Sequence, residues 1–319
     1  MGIVTTLCGC ATSNKQQPVT QDTTQEVRMP IFNGDSAYNY VDKQVAFGYR
    51  IPGSEAHRKT ADWLIAELSR HKATVITQET IVTAYDGTRL PICNIIAQFY
   101  PEKEQRVALA AHWDSRPFAD RDPNPAYHNS PIDGANDGAS GVGVLLEIAR
   151  HLGEYPPNVG IDIILFDAED YGAPEWVEGD TGDTWALGSQ YWATHTHTPG
   201  YKARFGILLD MVGATGIGFY REYFSDLYAP HIIDKVWKCA ADMGFEGLFI
   251  NDYGGAITDD HLNMIKAGIP TIDIIQFDPN SATGFFPQWH TREDNMKHID
   301  IGMLTAVGQT VLGVIYGEK

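Results

Sequence analysis

The sequence predicts an α/β fold: a single three-layer domain with a central, mixed but mostly parallel, twisted sheet flanked by helices. Three observations predict it. Short, nearly continuous apolar runs recur at 107–111, 161–166, 205–209 and 271–275, as strands covered on both faces require. Helical stretches fall between and after them, at 138–152, 186–194, 226–243, 260–267 and 300–316, which is the alternation of a layered α/β domain. Two earlier segments, 73–82 and 90–99, alternate apolar and polar residues, the pattern of half-exposed strands at an antiparallel edge.

In chain order, the first thirty residues stand apart. Residues 11–30 (ATSNKQQPVTQDTTQEVRMP) are rich in Thr, Gln and Pro with few large apolar groups, so they cannot repay their ordering entropy and read as a tail or linker. Before them, Leu7-Cys8-Gly9-Cys10 resembles the lipobox of a bacterial lipoprotein, in which Cys10 would carry a lipid tether. The segment Met1–Thr6 is shorter than a full signal peptide of roughly 15–30 residues and uncharged. That resemblance implies a periplasmic protein, or a membrane-tethered lipoprotein facing the periplasm. No later run approaches the roughly 20 apolar residues of a membrane span. From 31 to 319 there is no comparable gap in composition and no internal repeat, so this stretch reads as one domain. Within it, Ser54 is positioned to cap a helix running through Trp63, Leu64 and Leu68.

Charge and cysteine content narrow the function classes. Net charge is -18, from 41 acidic against 23 basic residues, with no Lys/Arg cluster of the kind that binds phosphates, so nucleic acid is not an expected partner. Four cysteines (Cys8, Cys10, Cys93, Cys239) are too few for a disulfide-built scaffold. Cys93 and Cys239 sit in apolar contexts and read as buried small hydrophobes rather than metal ligands.

The chemistry sits where the apolar strands end. Residues 107–111 run into His112-Trp113-Asp114, 161–166 into Asp167-Ala168-Glu169-Asp170, and 205–209 into Asp210. Open α/β sheets place their sites at the carboxyl ends of strands, and charges beside a dry core are costly unless paired or metal-bound. Asn136-Asp137-Gly138 opens a helix, and Gln288-Trp289-His290-Thr291 precedes the last one. The expected ligand set is Asp137, Asp170 and His290, with a fourth tetrahedral position open, as in catalytic zinc sites. Each residue alone has an ordinary reading: Asp137 as a helix cap, Asp170 as a solvated loop acid, His290 as a loop histidine. Asp162 and Asp167 read as structural. The segment GASGVG at 138–143 lacks the Lys-Ser/Thr of a phosphate loop.

The ordered set RIPGS (50–54), AHWDS (111–115), NDGASG (136–141), FDAED (166–170), LLDMVGA (208–214), TDDH (258–261) and WHT (289–291) resembles the zinc-aminopeptidase superfamily of peptidase family M28 and its glutaminyl cyclase branch, bacterial members above all. The resemblance runs from about Phe47 to the C-terminus and implies one zinc per chain, monomeric protein, and substrates that are peptides or proteins with an N-terminal Gln. It implies Glu169 as general acid/base, Asp210 and Asp259 as an acidic relay, and Trp176 and Trp289 as pocket walls, with Phe285 and Phe286 near the rim. Two-zinc aminopeptidases of the family use positions matching His112, Asp137, Asp170, Asp210 and His290, so hydrolysis of N-terminal residues is the alternative and a second metal at His112/Asp210 stays open. With one metal, Asp114 is expected to orient the His112 ring. Animal cyclases carry Glu-Glu where this chain has Glu169-Asp170.

Overall fold

A computed structural model describes residues 1–5, 9, 29–179 and 181–319; Cys10, the expected lipidation position, and most of the tail lie outside the described residues. The sheet is built on four strands whose side chains are all buried. These are β3 (Arg106–His112), β4 (Gly160–Phe166), β5 (Gly206–Asp210) and β8 (Thr271–Ile275). They lie parallel in the order β4-β3-β5-β8. The alternating segments form β1 (Thr74–Thr83) and β2 (Arg89–Phe99), which pair antiparallel with each other, and β2 pairs antiparallel with β4. The mixed sheet with an antiparallel edge is therefore the one the pattern predicts. Asp162, mid-strand in β4, takes hydrogen bonds from Arg106 and from the Tyr201 hydroxyl at 2.7 Å, so its charge is compensated within the core.

Helices cover both faces. Ser54 caps α2 (Glu55–Arg70), its hydroxyl accepting from His57 N at 3.0 Å. The helix α3 (Ala139–Glu154) lies so close to β5 that a Cβ at Gly141 would stand 2.2 Å from the Leu209 carbonyl oxygen; only glycine permits that approach. The remaining expected helices are α4 (Leu187–Thr194), α7 (Asp260–Lys266) and α8 (Ile301–Gly317).

Three differences from the sequence reading have local causes. The single helix expected over 226–243 is two, α5 (Tyr223–Tyr228) and α6 (Pro230–Asp242). Pro230 has no N–H to continue α5 but suits the first turn of a new helix. A helix not foreseen, α1 (Gly34–Val45), is capped by Asn33 and buries Ala37 and Val41 against α3. A small parallel pair, β6 (Phe219–Arg221) and β7 (Phe249–Tyr253), stands outside the main sheet.

Candidate active site

The carboxyl ends of β3, β4 and β5 deliver His112, the turn 167–170 and Asp210 to one buried cluster. The approach to α3 adds Asp137, and the loop before α8 adds His290. Asp137 does not cap α3: the cap is Gly138, with no side-chain hydrogen bond. Its carboxylate instead faces two imidazoles, Oδ1 standing 3.0 Å from His112 Nε2 and Oδ2 standing 3.6 Å from His290 Nε2. His290 Nε2 is also 3.2 Å from Asp170 Oδ1. The three expected ligands thus converge, each offering an atom within 4.8 Å of the others. A second trio, His112, Asp137 and Asp210, meets the same test and shares Asp137.

Main-chain geometry is bent to this purpose. Ala168, Met211 and His290 hold positive φ (50°, 46° and 56°), a region that costs non-glycine residues and persists where surroundings hold it. Ala168 aims the turn that carries Glu169 and Asp170. Asp114 accepts from Glu169 N at 3.1 Å and Asp170 N at 3.2 Å, and its Oδ1 lies 3.3 Å from His112 Nδ1. It thus orients the His112 ring as expected while also pinning the 169–170 backbone. Asp167 accepts from Cys93 N at 2.6 Å and from Ala168 N at 2.8 Å, and sits 2.8 Å from His57 Nε2, which makes it structural. Gly138 lies under His112, where a Cβ would come within 2.4 Å of the ring.

Electrostatics follow from crowding. Burial would push the His112 imidazole down, but hydrogen bonds with Asp114, Asp137 and Asp210 outweigh it and raise the ring well above an ordinary histidine. Burial and the charges of Asp259, Asp170 and Asp260 raise Glu169 well above the carboxylate range against the pull of His112. Asp210 is pushed up to about 6, by burial and Asp137 against the His112 hydrogen bond. Asp259 is pushed up to about 7, by burial and Asp210. So many carboxylates cannot all be ionised together unless cations stand among them; protons do that work where no metal does, and metal binding would release them. Asp170 Oδ2 is buried without a hydrogen-bond partner, a defect that an approaching cation would cure. Carboxylate oxygens and imidazole nitrogens are donors that a divalent ion accepts, so Asp137, Asp170 and His290 fit one.

Beside the cluster opens a cavity of about 330 Å³. Glu169, Asp170, Asp210 and Asp259 form its polar side, and Trp289, Trp185, Phe277 and Phe285 its aromatic side. Trp289 stacks on His290 with ring centres 3.8 Å apart and lies tilted against Phe285 at 4.5 Å. Trp176 is not part of this lining. It is 44% exposed, stacked on His128 at 6.0 Å and edge-on to Phe118 at 5.6 Å. The indole that lines the cavity from that loop is Trp185, parallel to His290 at 6.0 Å. Phe286 is buried and is not part of the lining; it packs in one cluster with Met211 and Ile275, which do line the cavity. Asp294, also not foreseen, accepts from Asn136 N at 2.8 Å and Asp137 N at 3.2 Å and so holds the ligand's backbone. Its position four residues beyond His290 was its one signal in the sequence.

Carboxylates and imidazoles gathered at the strand ends of a mostly parallel sheet, beside a cavity, define a metal-site enzyme of the α/β class. Residues 94–315 match peptidase family M28, and the chain belongs to that family. It is similar in structure to a zinc-dependent exopeptidase from Parabacteroides distasonis ATCC 8503, with a TM-score of 0.90 and 55% identity over 91% of this chain and 100% of that one. It is equally similar to the glutaminyl cyclase of Tannerella forsythia, at TM-score 0.90 and 55% identity with the same coverage. Among curated sequences it is 31% identical to Aminopeptidase YwaD of Bacillus subtilis (strain 168) over 218 residues, 66% of this chain but only 40% of that longer protein.

Proposed function

We propose that the chain is a zinc-dependent glutaminyl-peptide cyclotransferase, converting the N-terminal Gln of peptides or proteins to pyroglutamate with release of ammonia. One observation carries it. An acid-floored, indole-walled cavity of about 330 Å³, beside a ligand trio, sits in a chain 55% identical over 91% of its length to a glutaminyl cyclase. Its aromatic and acidic lining suits a polar side chain held against an apolar wall.

An N-terminal Gln carries its own nucleophile and electrophile, so the protein must chiefly fold one onto the other. Trp289 and Trp185 would press the side chain into the turn that brings the α-nitrogen to the γ-carbonyl carbon. Asp137, Asp170 and His290 would hold one zinc, which when bound supplies Lewis-acid polarisation of the γ-amide. The acids on the cavity's polar side attract the α-amino group, which gives its ammonium proton to solvent and reacts as the free amine. Glu169 takes a proton from the α-nitrogen and returns it to the departing amide nitrogen. The new bond joins the α-nitrogen to the γ-carbonyl carbon, and the carbon–amide nitrogen bond breaks to release ammonia. One carboxyl serves both transfers best when its hold on a proton is raised above the ordinary carboxylate's, and burial and neighbouring acids raise that of Glu169. Asp210 and Asp259, pushed to about 6 and about 7, relay protons and hold the leaving amide by hydrogen bonds. A lipid tether at Cys10 would place this activity on a membrane facing the periplasm.

A second reading, hydrolysis by a two-metal aminopeptidase, is favoured by the His112–Asp137–Asp210 trio. Ammonia release from a Gln-peptide with no cleavage of Leu-anilide supports the cyclotransferase; the reverse outcome, with two zincs per chain, supports the peptidase.

A further inference from the structure

Arg116, in the loop after β3, has no accessible surface. A guanidinium out of water is costly unless its donors are used, and here they are spent around the metal trio. Nε and Nη2 donate to the two oxygens of Asp120 at 2.8 and 2.7 Å. Nη1 reaches the Asp170 main-chain oxygen at 3.0 Å, Asp170 Oδ1 at 3.3 Å and the Gly172 oxygen at 3.3 Å. Its flat face covers Trp185 at 4.7 Å. Asp120 in turn stands 3.4 Å from His290 Nδ1. One residue pair therefore touches two of the three ligands and one wall of the cavity.

The contacts choose atoms. With Nδ1 of His290 turned to Asp120, Nε2 is the nitrogen left to face Asp137 and Asp170. With Arg116 on Oδ1 of Asp170, Oδ2 is the oxygen left buried and unpartnered. We propose that Arg116 and Asp120 are positioning residues for the metal: they set the His290 tautomer, limit Asp170 to one free oxygen, and thereby fix affinity and coordination geometry. This rests on the ligand set adopted under the proposed function. The planar fork of arginine suits a two-oxygen clamp that also reaches a second carboxylate, and a lysine point charge cannot reproduce it.

The test uses the full chain and the metal itself. Zinc affinity is measured by competition with a chromophoric chelator, coordination by the visible spectrum of the cobalt(II)-loaded protein, and apo stability by thermal unfolding. D120A and R116K should bind zinc about 10–100-fold more weakly, the usual cost of losing an outer partner of a ligand, and shift the cobalt spectrum. D120N keeps an oxygen for Nδ1–H but loses the clamp, and should fall between wild type and D120A. Should R116K fail to fold, the two Asp120 variants decide. Variants that lower only the apo unfolding temperature, with wild-type affinity and spectrum, overturn the proposal and leave packing as the role. If wild type itself binds no zinc, or if D170A binds as wild type does, the ligand set falls and takes the positioning role with it. If D170A loses zinc while D120A keeps it, only the positioning role falls.

Discussion

Replacing Glu169 by Gln removes the ability to exchange a proton while keeping the side chain's size. The residue is 8% exposed, and its main-chain N–H is tied to Asp114, so the amide can occupy the same place. Burial and the surrounding acids favour its protonated, neutral form in the metal-free protein; a neutral amide therefore changes the cluster's charge little, and zinc should stay bound. A positioned general acid/base is worth about 10²–10⁴-fold, or about 2.7–5.4 kcal/mol at 1.36 kcal/mol per decade. Asp259, pushed to about 7, exchanges protons near neutrality and lines the same cavity, so a residual rate above the uncatalysed one is expected. The assay is ammonia release from a Gln-peptide, with kcat and KM resolved and zinc determined in the same preparation. The expected result is a loss in kcat of at least about 10²-fold with KM little changed and zinc retained. Loss of zinc would show that base and ligand have been confused, and a kcat within tenfold of wild type would assign the proton transfer elsewhere.

Further expectations concern the ligands, the walls and the scaffold. Asp170→Ala removes a direct ligand and should weaken zinc at least as much as loss of an outer partner does, more than about 100-fold, measured by chelator competition with the fold checked by circular dichroism. Trp289→Ala and Trp185→Ala should raise KM for a Gln-peptide by about tenfold or more, since each exposes an aromatic wall worth 1.4 kcal/mol or above. Trp176→Ala, outside the cavity lining, should change KM less than twofold. Glu147, where burial is outweighed by hydrogen bonds from Arg150 and His151, is lowered from 4.5 to about 2. Its stabilising contribution is whole above pH 4.5 and is lost as pH falls through 2. With screening at the partly exposed Arg150 it is worth about 2 kcal/mol, so the acid limb of Glu147→Gln in a pH–urea titration should be shallower by that amount.

Elements with a period, and residues that end them, could be read from the sequence. Residues 107–111 and 161–166 can bury both faces only as central strands, and the groups that follow them, His112 and Glu169-Asp170, are carried to the strand ends by geometry alone. Ser54 was legible as a cap because a hydroxyl before an apolar-periodic run has one good use. What escaped lies where no period operates. The resemblance pointed to Trp176, six residues past Asp170, whereas Trp185, fifteen past it, lines the cavity. The loop runs outward to stack Trp176 on His128 and Phe118 before returning Trp185 to the cavity. Arg116, Asp120 and Asp294 were not singled out, because nothing local distinguishes a charge paired across the fold from one in water. The α1 helix was missed because it follows the polar tail and carries several polar residues on its outer face.

The ring stack between Trp289 and His290 has an evolutionary consequence. These neighbours in sequence are in van der Waals contact, at 3.8 Å, and one shapes the space offered to a guest while the other faces Asp137 and Asp170. A change of selectivity made at 289 must disturb the imidazole as well, so few replacements there can be neutral. Trp185 borders the same space on a separate loop but lies parallel to His290 at 6.0 Å and under Arg116 at 4.7 Å, so neither indole can change the space offered to a guest without reaching the residues around the cluster.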